Sequence, residues 1–199
     1  MTTQPIHELT IEPLTRDRMD DLATLFEQGG DPKWCWCAWW RVRGRDWTNA
    51  TAEVNREVLA TAVREQDHAP GLVAYDGDEA VGWVSLGPRD DYERLTFSKV
   101  LGPVDDAPVW SIVCFVVGRR SRGRGIANAL LGAAIDYARR HGATALEAYP
   151  VELAAGERIA SASANMGTLP MFERAGFEVV ERRQANASSK ARPIVRLKL

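Results

Sequence analysis

The feature that most restricts how this chain can fold is a passage from an apolar run into a helix through a basic, glycine-containing turn. It reads Val116-Val117-Gly118-Arg119-Arg120-Ser121-Arg122-Gly123-Arg124-Gly125-Ile126-Ala127-Asn128-Ala129-Leu130-Leu131. Upstream, Val109 to Val117 is rich in β-branched and aromatic residues, which suits a buried strand. Downstream, polar or small residues recur at Asn128, Gly132, Asp136 and Arg139, while Ile126, Leu130, Ala133, Ala134 and Tyr137 make a broad apolar face. That period belongs to a helix packed on a sheet. Arg139, Arg140 and His141 complement the dipole in its last turn, and Gly142 can take the left-handed conformation just beyond. At the other end the first helical amides have no intrahelical partner and carry partial positive charge. Gly123 and Gly125 would let phosphate oxygens approach that backbone closely, with Arg122 and Arg124 adding charge. A tight turn with a solvated basic surface would use the same residue types.

The spacing is more selective than the composition. Arg122-Gly123-Arg124-Gly125-Ile126-Ala127 fits the pattern R/Q-x-x-G-x-G/A, and with a strand before it and an amphipathic helix after it the chain resembles the GCN5-related N-acetyltransferases. A dinucleotide fold would need G-x-G-x-x-G after the first strand of a βαβ unit, and a P-loop would need Gly-Lys-Ser/Thr. The resemblance implies an α/β (α+β) fold, a mixed and mostly antiparallel sheet with splayed fourth and fifth strands flanked by helices. It also implies acetyl-CoA as acyl donor, its pyrophosphate held by the loop that runs through Arg122, Gly123, Arg124, Gly125, Ile126, Ala127 and Asn128. A second stretch, Leu169-Pro170-Met171-Phe172-Glu173-Arg174-Ala175-Gly176-Phe177, matches the family's helix closing on "Y-E-K-x-G-F" before the sixth strand.

The rest of the chain is consistent with one such domain, residues 1–199. At 199 residues and 22.0 kDa there is material for a single well-packed core. A net charge of −2 argues against nucleic-acid binding by bulk charge, and no run approaches the ~20 apolar residues that span a bilayer. The first residues lack the pattern of a secretory signal, so the expected place is the cytoplasm. Cys35, Cys37 and Cys114 are odd in number, Cys35-Trp36-Cys37 is too tight for an easy disulfide, and the histidines have no ligand spacing; reduced thiols and no metal are expected.

In order, Glu8–Leu14 reads as an edge strand, and a helix marked by Met19, Leu22, Leu25 and Phe26 ends at Gly29-Gly30. A helix over Thr51–Gln66 should bury Val54, Val58 and Ala62, with Leu59 and Val63 beside them. Gly71–Tyr75 and Ala80–Leu86 are strands joined through Asp76-Gly77-Asp78. Gly87–Pro108 reads as a long irregular connection whose Arg89 and Tyr92 are exposed. Ala145–Pro150 is a strand, Val151–Met166 is small and polar, and Phe177–Arg182 with Ile194–Leu199 forms a final antiparallel pair around a loop at Arg183–Lys190. The order is βααβββαβαββ.

Five of the seven tryptophans fall between Trp34 and Trp47. Such a segment is either a satellite hydrophobic cluster or the wall of an acceptor pocket, with Trp36, Cys37 and Trp40 as lining and Arg41 or Arg43 for an anionic group. The resemblance implies that this region borders the acceptor. It implies further that backbone N–H groups of Phe115, Val116 and Val117, on a bulged fourth strand, face the acetyl carbonyl and pantetheine arm, and that Asn165 contacts the cofactor. Phe172 stands where many members carry the tyrosine that protonates the leaving thiolate. Tyr149 is the substitute acid, and Glu147, the in-strand carboxylate nearest the cleft, is the candidate base unless it is solvated or paired with arginine. The activity expected is acetyl transfer to a primary amine of a small molecule, peptide or protein by direct attack in a ternary complex. A non-catalytic acyl-CoA-binding module and an interaction protein docking through its tryptophans are the alternatives, and a homodimer is compatible with either.

Overall fold

A computed structural model describes residues 9–28, 30–153, 165–186 and 191–199. The elements are β1 (Leu9–Pro13), α1 (Met19–Glu27), α2 (Pro32–Cys35), α3 (Ala38–Arg41), α4 (Gly44–Thr48), α5 (Ala52–Glu65), β2 (Gly71–Asp76), β3 (Glu79–Pro88), α6 (Glu93–Phe97), β4 (Trp110–Val117), α7 (Ile126–Arg140), β5 (Ala145–Ala148), α8 (Leu169–Arg174), β6 (Glu178–Arg183) and β7 (Arg192–Lys198). The strands form one sheet in the order β1-β2-β3-β4-β5-β7-β6. All its pairs are antiparallel except β4 with β5. No helix among the described residues is long and apolar enough to cross a membrane.

Alternation along the strands sends side chains to both faces, and each face buries its own cluster. Leu130, Leu131 and Ala134 of α7 pack with Phe172 of α8 on Val84, Ile112 and Phe115. Leu22 and Phe26 of α1, Trp36 and Trp40, and Leu59 of α5 pack on Trp83, Val113 and Cys114. Strand β4 thus lies between two layers. Its neighbour β3 carries Gly82, where a Cβ would stand 2.6 Å from Ile126 Cγ2; the missing side chain is what lets α7 approach the sheet.

Two irregularities of β4 make the site. Opposite β3, Ser85 pairs with Cys114 and Leu86 with Ile112, so Val113 is one residue extra, a bulge. Opposite β5, pairing covers only Trp110, Ser111 and Ile112 against Leu146, Glu147 and Ala148. Beyond Ile112 the two strands part, and the splayed pair that the family resemblance implies is present.

Several expectations need correction. Helix α5 buries Asn55, Leu59 and Ala62 and leaves Val54 exposed. Its phase is shifted because Asn55 Nδ2 donates to the Trp34 carbonyl at 2.9 Å, a tertiary bond that periodicity cannot show. The connection after Leu86 is ordered: β3 runs on to Pro88, and a short turn leads into α6. Arg89 and Tyr92 there are buried, not exposed, the one at 8% and the other at 0% relative accessibility. Arg89 can be buried because it donates to Glu147 at 3.5 Å and to the carbonyls of Asp105 and Ala107 at 3.3 and 3.1 Å. The small, polar stretch expected at Val151–Met166 falls largely outside the described residues, as does part of the loop at Arg183–Lys190.

Candidate active site

The turn before α7 forms an open cradle of main-chain donors. Gly123 and Gly125 have φ of +76° and +81°, the left-handed region where a side chain would strain the backbone. No heavy atom lies within 4 Å of a Cβ built on either, so the face they present is open. Gly125 caps α7 without any side-chain hydrogen bond, and Gly123, Arg124 and Gly125 donate no amide to another backbone group in the turns and loops among the described residues. The first helical amides, those of Ile126 and Ala127, lack partners by helix geometry. Such a row of free donors at the positive end of a helix fits a diphosphate. Arg122 is exposed and its Nε donates to the Val117 carbonyl at 3.4 Å. Arg124 folds back instead, 2.7 Å from Asp76 at the tip of the β2–β3 hairpin. Asn128 is exposed on the first turn.

Next along the chain toward the N-terminus lies the free edge of β4. Phe115, Val116 and Val117 pair with Val84, Trp83 and Gly82 on one side and with no strand of the described residues on the other. In an antiparallel ladder alternate amides point away from the partner, so this stretch offers main-chain donors into the splay.

On the opposite face of β4 is a pocket of about 620 Å³. Trp34, Trp39, Trp40 and Trp47 line it on one side, and Cys114 of β4 with Asn165 and Met166 ahead of α8 completes it across the splay. Of the four acceptor residues expected, Cys37 and Trp40 line it. Trp36 does not: it packs edge-on against Phe26 in the core, ring centroids 5.1 Å apart. Arg41 does not either. Its guanidinium lies 4.8 Å from the Tyr92 ring centre and 3.9 Å from Asp91, with Nε and one Nη buried and unpartnered. Asn165 lines the pocket rather than the cradle, its Oδ1 buried without a partner.

Three lining residues are thiols. Burial pushes Cys35 up to about 12. Cys37 and Cys114 share a hydrogen bond that lowers the first and raises the second. The Trp83 indole N–H, 3.4 Å from Cys37 Sγ, and the charge of Arg41 lower Cys37 further, against its burial. Trp36 and Cys37 are the two non-glycine residues with positive φ among the described residues, and this left-handed step turns α2 into α3. Among the described residues no cluster of His, Cys, Asp and Glu could hold a metal ion.

The expected acid and base lie beside the pocket, sealed from it. Glu147 is 1% exposed, 2.6 Å from Arg196 and 3.5 Å from Arg89. Tyr149 hydrogen-bonds to Ser111 at 3.0 Å and to Glu147 at 3.4 Å, and burial raises its hydroxyl above the ordinary phenol range. Trp40 stacks over it at 6.4 Å. A carboxylate occupied by two guanidiniums and 1% exposed presents no free oxygen to the pocket, and a buried phenol bonded within the core is a poor donor. Phe172 is wholly buried. Sequence reasoning passed over Asp31, Cys35 and Met166; Cys35 sits within the tryptophan segment and Asp31 just ahead of it, whereas nothing in the local pattern marks Met166.

The model of the acetyltransferase (GNAT) family matches residues 34–177. Solved structures with similar folds include a protein from Desulfovibrio desulfuricans described as of the GNAT family, at 16% identity, 96% of this chain, 99% of that one and a TM-score of 0.58. A polyamine N-acetyltransferase of Drosophila melanogaster that forms N-acetylagmatine matches at 12% identity, 96% and 100% coverage and a TM-score of 0.56. A chain of the NatC complex solved with Gag peptide and CoA matches at 15%, 96% and 99%, and 0.54. No curated protein matches the chain by sequence.

Proposed function

This chain belongs to the acetyltransferase (GNAT) family, and on that premise we propose that it is an acetyl-CoA-dependent enzyme acetylating a primary amine by direct attack in a ternary complex. The observation that carries the reading is the convergence of two sites on β4, an open anion cradle leading to its free edge and a pocket on its other face. When bound, acetyl-CoA supplies a thioester carbonyl open to attack by an amine. The amides from Gly123 to Ala127 hold the diphosphate, with Arg122 and Asn128 beside it. The outward-facing main-chain donors of the Phe115–Val116–Val117 stretch meet the carbonyl oxygen as it gains charge, and one such donor can be worth about 2.7–4 kcal/mol. The amine attacks as its neutral form, its ammonium proton having passed to water. Attack forms the nitrogen–carbon bond and releases the thiolate, whose conjugate acid has a pKa near 8.5, so Phe172 need supply no proton.

Incubating the full chain with acetyl-CoA and a panel of amines, while following thiol release and product mass, tests this. Amine-dependent thiol release with a matching acetylated product is expected. Binding of coenzyme A without release for any amine would leave direct transfer unsupported, and unmoved amide resonances from Arg122 to Asn128 on adding coenzyme A would sink the reading altogether.

A further inference from the structure

Resting on that reading, we infer that the acceptor is an arylalkylamine or similarly flat, apolar monoamine carrying no carboxylate. The pocket's 620 Å³ suits a small organic molecule. Its wall is built of perpendicular indoles: Trp34 and Trp47 meet at 81° with centroids 4.8 Å apart, and Trp39 and Trp40 at 89° and 4.6 Å. Indoles so arranged offer a flat ring both a face and an edge. Arg94, which is not part of the lining, fixes them from behind. Its guanidinium lies 4.3 Å from the Trp39 ring centre and 5.5 Å from that of Trp47, and it donates to the carbonyls of Trp39 and Val42.

Charge narrows the class further. Among the described residues Asp31 is the one carboxylate on the lining, and no described lysine or arginine joins it. A single positive charge on the acceptor is therefore matched, and the indole faces attract it as well. A polyamine would leave its other charges unmatched. An amino acid would bring a carboxylate into an apolar site with no cation to meet it, a large desolvation cost. Arg41, the cation expected to serve there, is turned toward Asp91 and Tyr92.

The test compares 2-phenylethylamine with phenylalanine, which adds a carboxylate to the same skeleton, and with putrescine. Acetylation of phenylethylamine should exceed that of both by roughly 100-fold in kcat/KM. Binding is read separately, without acetyl-CoA, as quenching of tryptophan fluorescence by phenylethylamine. Trp47→Ala should weaken it roughly tenfold and Trp47→Phe should restore most of it. Binding without acetylation would contradict the transfer reading and leave the pocket assignment standing. Equal or better turnover of phenylalanine or putrescine, or no quenching up to about 10 mM, would overturn the assignment itself.

Discussion

Glu147 shows what a single side chain in this molecule is for. With Arg89 and Arg196 both on its oxygens and 1% of its surface exposed, it is a buried anion that holds two cations in place. Glu147→Ala should lower the unfolding free energy in urea by about 3–5 kcal/mol, since it strands the buried charge of Arg89, Arg196 keeping Asp105. Glu147→Gln, which keeps the shape, should leave kcat within about tenfold of the parent, whereas loss of a working general base typically costs 10²–10⁴. A larger loss in a variant that still folds would restore Glu147 as the base. Cys35 gives a second prediction. With its thiol pushed up to about 12 by burial, iodoacetamide labelling at this residue should still be climbing tenfold per pH unit between pH 8 and 10, and a plateau there would contradict the assignment. From the sequence Glu147 was visible as a carboxylate in a strand, but its partners come from the loop after β3 and from the last strand. Charge partners that distant leave no mark on local pattern.

Among the elements, β4 and α7 do most to bring the chemistry together. The strand, the turn and the helix were legible in advance because each rests on local physics: β-branched residues, two glycines in the left-handed region, and a helical apolar face. Gly125→Val should therefore weaken binding of coenzyme A by roughly 10- to 100-fold in calorimetry, through left-handed strain and loss of access to the amides, while the far-ultraviolet spectrum stays that of the parent. Unchanged affinity would remove the cradle from the site. The bulge at Val113 and the parting from β5 followed only from family resemblance, since both depend on register against other strands. The three short helices α2, α3 and α4 were not legible at all. A left-handed step at Trp36 and Cys37, built without glycine, breaks any period the segment might have shown.

At the scale of the whole molecule, one arginine ties the last strand to the middle of the chain. Arg196 on β7 reaches Glu147 in the sheet and, at 2.7 and 2.9 Å, Asp105 in the loop leading to β4. That pair holds the Asp105 carboxyl down to about 2. Because the folded value is depressed, the contribution to stability is present above the unfolded value near 3.8 and is lost as pH falls through about 2. Asp105→Asn should thus be less stable than the parent above pH 4, by a modest amount because the side chain is 47% exposed, and equal to it near pH 2 in urea unfolding series. A gap that persists at pH 2 would assign the loss to packing instead.

The separation of the two layers across β4 has one more consequence. On the proposed reading donor and acceptor are gripped by different stretches of chain, so the segment from Asp31 to Thr48 could be exchanged for another lining, and a new amine accommodated, without redesigning the handle that every acyl donor of this kind shares.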